Sequence, residues 1–292
     1  MKIILSRKGF DSANGGYPSP ILPNGRMVSL PIPVCSQTCY SDLQLDSKTT
    51  YYDIMCELQP KKRCKDDRHE LTKTTKCHLD PDIYRNVVTR KSGWRACFGP
   101  LGIAKRILDN QCVKEGDLFL FFGRFRHTEQ VKGRLKFTGS DIHIIFGYMQ
   151  IDEIVNNIDS NYKEPEWMKG HPHLSNIFRT KKNNTIYVAR EKLSWDSNLC
   201  GAGVFNFDNS LVLTKQGLSP SKWDLPEFFK CAEIGFHSKD NWKDGYFQSA
   251  DIGQEFVIQD NEKVENWAKN LIKGNIEKGS DLDDQQIINK EL

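Results

Sequence analysis

The sequence predicts an α+β fold, mainly antiparallel β with peripheral helices. Three observations carry this. Two aromatic-rich runs, residues 118–123 and 142–151, are apolar at nearly every position and read as buried strands flanking a polar, basic stretch. Shorter strand-like runs recur at residues 3–5, 184–189 and 253–258. Helical spacing is clear in two places only, Ile103/Ile107/Leu108 and Val264/Trp267/Leu271.

In chain order, the first strand is Ile3-Ile4-Leu5, which breaks directly into Ser6-Arg7-Lys8-Gly9-Phe10-Asp11. Charged and hydroxyl groups at the end of a strand can be presented at a sheet edge, and the glycines that follow allow close backbone approach to a ligand. Residues 35–77 are polar and carry five of the nine cysteines. Cys35-x3-Cys39 fits zinc-ligand spacing loosely, but Cys56-x7-Cys64 does not, and His69, Cys77 and His78 add no tight pair. Unrelated reduced thiols are the expected reading, and no metal ligand is assigned. Within this stretch residues 51–55 read as a strand or one helical turn, and residues 61–65 form a solvated basic run. The other cysteines, Cys97, Cys112, Cys200 and Cys231, sit among apolar neighbours and are expected in the core.

His78-Leu79-Asp80-Pro81-Asp82 gathers one imidazole and two carboxylates within five residues. In an extended backbone all three polar side chains share a face, suited to binding a divalent metal or to acid–base work. The competing reading is an Asp-Pro-Asp turn capping a helix that starts near Ile83. Residues 95–111 read as loop then helix. Gly116-Asp117 turns into the first aromatic strand, and the excursion 124–141 carries Arg124, Arg126, Lys132 and Arg134 before the second. This pattern resembles PUA- and ASCH-type pseudo-barrels that bind RNA or modified bases, so a pseudo-barrel core is expected. His171-Pro172-His173 puts two imidazoles on one side of an extended segment. A strand at 184–189, a hairpin over 201–214 and a short helix from Trp223 follow. The domain should span residues 1–272, with 35–77 as a cysteine-rich insertion and 273–292 as a polar, frayed or disordered tail.

Composition excludes several classes. The 292 residues are 38% hydrophobic and 27% charged, and 41 basic against 38 acidic side chains leave a net charge of only +3. Any nucleic-acid footprint must therefore be local. No apolar run reaches membrane-spanning length, and no apolar signal core precedes Arg7 and Lys8, so a cytoplasmic protein is expected. There is no phosphate-binding glycine loop, GxSxG or zinc-protease motif. No cofactor can be named.

The chain resembles the third of the nucleotide modification associated domain families of bacteria and phages. The resemblance rests on Ile4-Leu5-Ser6-Arg7-Lys8-Gly9-Phe10-Asp11, Pro18-Ser19-Pro20-Ile21, His78-Leu79-Asp80-Pro81-Asp82, Gly116-Asp117-Leu118-Phe119-Leu120-Phe121-Phe122-Gly123, His171-Pro172-His173 and Gly253-Gln254-Glu255-Phe256-Val257. It implies association with systems that modify DNA bases. It brings no settled reaction, so no catalytic role is carried over from it.

The expected function is an enzyme, or enzyme component, acting on nucleotides or DNA bases. Lys8, Asp11, His78, Asp80 and Asp82 are the catalytic candidates, with His171 and His173 nearby. Ser6, Arg7, Arg95, Arg124 and Arg126 are the substrate- and phosphate-binding candidates. The expected partners are DNA or a nucleotide and other proteins of a modification system. One alternative is a non-catalytic reader holding a base among Phe122, Trp94 and Tyr148, with the basic excursion on phosphates. Another is a structural subunit of such a complex.

Overall fold

The computed structural model describes residues 1–34, 36–59, 70–250 and 253–288, with side chains described to residue 276. Cys35, the basic run 61–65, Cys64 and His69 lie outside the described residues.

Two long strands form the spine. β4 (Leu118–Val131) and β5 (Arg134–Val155) pair antiparallel through a two-residue turn at Lys132-Gly133. Both turn residues have positive φ, 53° and 75°, as a type I′ hairpin requires. The basic stretch 124–141 is therefore part of the ladder. β1 (Ile3–Arg7) runs parallel to β4 and antiparallel to β13 (Glu255–Ile258). β2 (Ser19–Ile21) also pairs parallel with β4. β6 (Ile186–Ala189) continues the sheet from β5, and β3 (Cys97–Phe98) closes its far edge on β6. The fold is α+β, and the two parallel pairings modify the expected antiparallel plan.

The sheet curls into a half-barrel. Its strand order is β13-β1-β4-β5-β6-β3, so three strands separate β1 from β3. Yet the Lys8 ammonium, one residue past β1, lies 4.3 Å from the ring centroid of Phe98 in β3. Phe98 also packs edge-on against Phe119 and Phe121 of β4, with centroids 5.2 and 5.6 Å apart. Aromatic volume fills the inside of the curl and holds its edges together. Phe122 points to the opposite face, against Trp223, His143 and Phe256. β4 is buried on both faces, which explains its unbroken apolar run.

Smaller elements cover the sheet. α1 (Tyr51–Leu58) is helical, with Thr50 and Asp53 forming a capping box. α2 (Ile103–Asn110) packs against β13. β7 (Lys192–Leu193) pairs with β8 (Asp196–Cys200). β9 (Ala202–Val204) pairs with β5 instead of forming the hairpin expected over 201–214. β10 (Lys222–Trp223), β11 (Trp242–Lys243) and β12 (Tyr246–Gln248) make a separate three-stranded sheet, and a 3-10 turn at Glu227–Cys231 replaces the helix expected from Trp223. α3 (Asn176–Arg179) is one turn, and α4 (Glu262–Ile288) packs its first turns on the sheet through buried Val264, Ala268 and Ile272. No helix begins at Ile83: Asp82 instead bridges to Cys97. Cys97 is buried as expected, but Cys112, Cys200 and Cys231 are exposed. Among the described residues no helix is long and apolar enough to cross a membrane.

Candidate functional site

Curling brings the ends of β1 and β3 together, and two loops close over them. One loop holds residues 78–80, pinned where the His78 N–H donates to the Ile32 carbonyl at 2.9 Å. The other carries His171-Pro172-His173, a 3-10 turn that leads into α3. Arg179 staples this second loop: its guanidinium donates to the carbonyls of Leu174, Asp159 and Tyr162 and pairs with Glu164. A small satellite core of Cys97, Ile158, Met168, Leu174, Ile186 and Val188 lies beneath.

The result is a cleft of about 260 Å³ lined by Arg7, Lys8, Asp11, Asn14, His78, Asp80, Phe98, Gly99, His173 and Phe178, among others. Asp80 is its centre, with a side chain only 5% exposed. The Oδ1 atom accepts the Gly99 N–H at 2.9 Å and lies 3.5 Å from His171 Nε2. The Oδ2 atom lies 3.7 Å from His78 Nε2 and 3.8 Å from His173 Nε2. Burial alone would raise the Asp80 pKa. The polar surroundings supplied by His171, His78 and His173 overcome it and hold the carboxyl well below its usual range. Burial pushes His173 down to about 3, against the pull of Asp80, so its ring is neutral at neutral pH. His78, Asp80 and His173 each offer a donor atom within 4.8 Å of the other two, close enough to share a metal ion.

Lys8 enters from the β1 side, and its ammonium pairs with the fully buried Glu255 at 2.6 Å. Arg7 also lines the cleft and donates to the Gly253 carbonyl at 2.5 Å. Asp11 stands at the rim. Its Oδ1 accepts the backbone N–H groups of Ala13 and Asn14 at 2.7 and 2.6 Å, so Asp11 also shapes its own turn.

Other candidates lie elsewhere. Asp82 is turned out of the cleft and held bidentately by Arg90, at 2.7 and 2.5 Å, with Trp94 Nε1 at 3.4 Å. Residues 78–82 are not one continuous strand, so the two-residue alternation does not carry from Asp80 to Asp82. Ser6 is buried inside β1. Arg95 donates to the Ala189 carbonyl and pairs with Asp152. Arg124 and Arg126 are both clamped by Asp141 across the β4–β5 ladder. Of the aromatics suited to holding a base, Phe122 and Tyr148 are core residues, and only Trp94 is half-buried beside a cleft. That second cleft, about 530 Å³, is lined by Arg26, Arg85, Trp94, Arg95, Arg190 and Glu191, among others. Among the described residues the cysteines of the 35–77 stretch form no ligand cluster, and His78 faces the Asp80 cleft.

Sequence reasoning missed Asn184 and Gly99. The Asn184 Oδ1 atom lies 2.7 Å from His173 Nδ1, while its Nδ2 donates to the carbonyls of Ile158 and His173. A Cβ on Gly99 would lie 2.5 Å from the His173 ring. Neither position stands in a catalytic or ligand motif, and only the fold brings them to His173.

No curated protein and no solved structure matches the chain. A family model, nucleotide modification associated domain 3, matches residues 2–259, from β1 through the last strand of the curled sheet. The stretches that build the Asp80 cleft all fall inside that match, and the chain belongs to the nucleotide modification associated domain 3 family.

Proposed function

We propose that the chain is an enzyme, or the catalytic part of one, acting on a nucleotide or a DNA base within a modification system, with the Asp80 cleft as its reaction site. Membership of the family supports the system; one observation supports the site. Residues remote in sequence, 7–14, 78–80, 98–104 and 173–178, converge on one partly enclosed cleft around a buried anionic carboxylate. A perturbed ionisable group beside a specific set of partners inside a cleft is a functional-site candidate.

At about 260 Å³ the cleft lies just below the roughly 300–1,000 Å³ typical of small-molecule pockets, which suits a single base or nucleotide. A base arriving in duplex DNA would have to leave the stack to reach it. The reacting part of the base would be held against Asp80 and the imidazoles of His78 and His173, which line the cleft. Arg7 and Lys8 would face the phosphate, Lys8 sharing its charge with Glu255, and Asp11 would close the rim. Asp82, Arg95, Arg124 and Arg126 serve the scaffold in this reading. We take the half-barrel as a scaffold of the PUA and ASCH type, a likeness that rests on the β4–β5 pattern. DNA or a nucleotide is the partner, together with other proteins of the system.

The test is direct. The protein is incubated with modified and unmodified DNA and with nucleotides, with and without divalent metal, and the products are followed by mass spectrometry. A new base or nucleotide species that disappears in Asp80→Asn supports the enzyme. Selective retention of modified DNA with no product favours a reader, whose natural seat is the arginine-rich cleft beside Trp94.

A further inference from the structure

The geometry points to a divalent transition-metal site in the cleft, with His78 Nε2, Asp80 Oδ2 and His173 Nε2 as its protein ligands. The inference rests on reading the cleft as the reaction site, but its test needs no substrate.

The Asn184 amide fixes the tautomer of His173. Both Nδ2 hydrogens are committed to carbonyl oxygens, those of Ile158 at 3.1 Å and His173 at 2.8 Å. The Oδ1 atom can therefore only accept, and the proton between it and His173 must sit on His173 Nδ1. A neutral His173 ring then presents the Nε2 lone pair, and that atom faces Asp80 Oδ2 at 3.8 Å. A lone pair directed at a carboxylate oxygen is repulsive unless a cation stands between them. His78 Nε2 approaches the same oxygen at 3.7 Å from the other loop.

His171 has the opposite arrangement. Its Nδ1 accepts the backbone N–H of His173 at 3.3 Å, so a neutral ring carries its proton on Nε2, 3.5 Å from Asp80 Oδ1. Oδ1 thus accepts the Gly99 N–H and faces His171 Nε2, while Oδ2 is left to the lone pair of His173 and to His78 Nε2. One carboxylate oxygen takes the orienting hydrogen bonds and the other is the ligand, the usual division in metal sites. Asn184 plays the same orienting role for His173.

An ion about 2.1 Å from each donor sets the donors roughly 3.0–3.5 Å apart. The two histidine–Asp80 distances, 3.7 and 3.8 Å, lie close to that, and all three donors lie within 4.8 Å, so binding would draw the side chains together. Two imidazoles and one carboxylate, with remaining positions open to the cleft, match Fe²⁺ and Zn²⁺ and poorly suit Mg²⁺ or Ca²⁺.

The experiment uses the metal-stripped full chain. It is titrated with Zn²⁺, with Co²⁺ and, anaerobically, with Fe²⁺, and followed by calorimetry and visible absorption. The expected result is one ion per chain and a Co²⁺ spectrum without thiolate charge-transfer bands. His78→Ala and His173→Ala should each weaken binding by at least about a hundredfold, and Asn184→Ala by about 10–100-fold. Cys39→Ser should change nothing. The inference is overturned if the wild-type chain binds none of these ions, if the Co²⁺ spectrum shows thiolate ligands, or if both histidine variants bind as wild type. The Co²⁺ spectrum decides even where a variant fails to fold. An ion bound here with no product from any nucleotide or DNA would count against the reaction-site reading alone.

Discussion

Gly99→Ala should disturb the candidate site through a single methyl group. Gly99 sits where β3 ends, and its N–H fixes Asp80 Oδ1. An added Cβ would lie 2.5 Å from His173 Cδ2 and 2.6 Å from Cγ, against an ordinary carbon contact of about 3.5–4.0 Å. The backbone has no positive φ at this position, so the effect is steric and not conformational. The His173 ring must retreat by about 1 Å. Its Nδ1–Asn184 contact, 2.7 Å in the structure, would then exceed hydrogen-bonding range. Overpacking costs about 1–3 kcal/mol and an orphaned buried acceptor about 1–3 kcal/mol more, so the variant should lose on the order of 3 kcal/mol. Urea unfolding monitored by Trp fluorescence reads the stability, and activity assayed well below the unfolding midpoint reads the site. Wild-type stability together with wild-type activity would refute the packing of Gly99 on His173.

Other perturbations separate structural from chemical roles. Arg90→Met leaves the nearly buried Asp82 carboxylate with only Trp94 at 3.4 Å and should cost about 3 kcal/mol in urea unfolding, yet leave the activity of the folded fraction intact. Asp11→Asn keeps the Oδ1 acceptor that organises its turn and should fold as wild type, whereas Asp11→Ala should lose about 1 kcal/mol. If activity falls in the alanine variant only, Asp11 shapes the loop and its charge is not used. His143, buried with Arg7, Arg124 and Asp141 around it and accepting from Trp223 Nε1, has its pKa pushed down to about 3, mainly by burial. The unfolded chain binds this proton more readily, so the neutral ring's contribution is complete above about pH 6.5 and is lost as pH falls toward 3. Between pH 6.5 and 4.5 this amounts to roughly 2–3 kcal/mol, and unfolding midpoints of wild type and His143→Gln should converge over that range; parallel pH profiles would contradict it.

Much of the scaffold could be read in the sequence because its signals are local. Residues 118–123 are apolar on both faces since β4 is buried on both, and α2 and the start of α4 follow from apolar spacing. The parallel partnership of β1 with β4 joins residues over a hundred positions apart, and no local pattern encodes it. The same holds for the site. The grouping of Arg7, Lys8, Asp11, His78 and Asp80 was legible because polar side chains interrupt apolar runs there. Asp82 is equivalent to Asp80 only in one extended strand, and residues 78–82 do not form one. Arg124 and Arg126 read as phosphate ligands in the sequence, but Asp141 stands opposite both across the ladder. Asn184 was unreadable, since its importance lies in two carbonyls and an imidazole supplied by other loops.

In our proposal a nucleotide or base is handled in the Asp80 cleft. The most direct test is photocross-linking of a base-labelled nucleotide to the full chain, with the attached peptides mapped by mass spectrometry. Labelling within residues 7–14, 78–80, 98–104 or 173–178, competed by unlabelled nucleotide, is the predicted result. Labelling confined to the walls around Arg26, Arg85, Trp94 and Arg190 would contradict it.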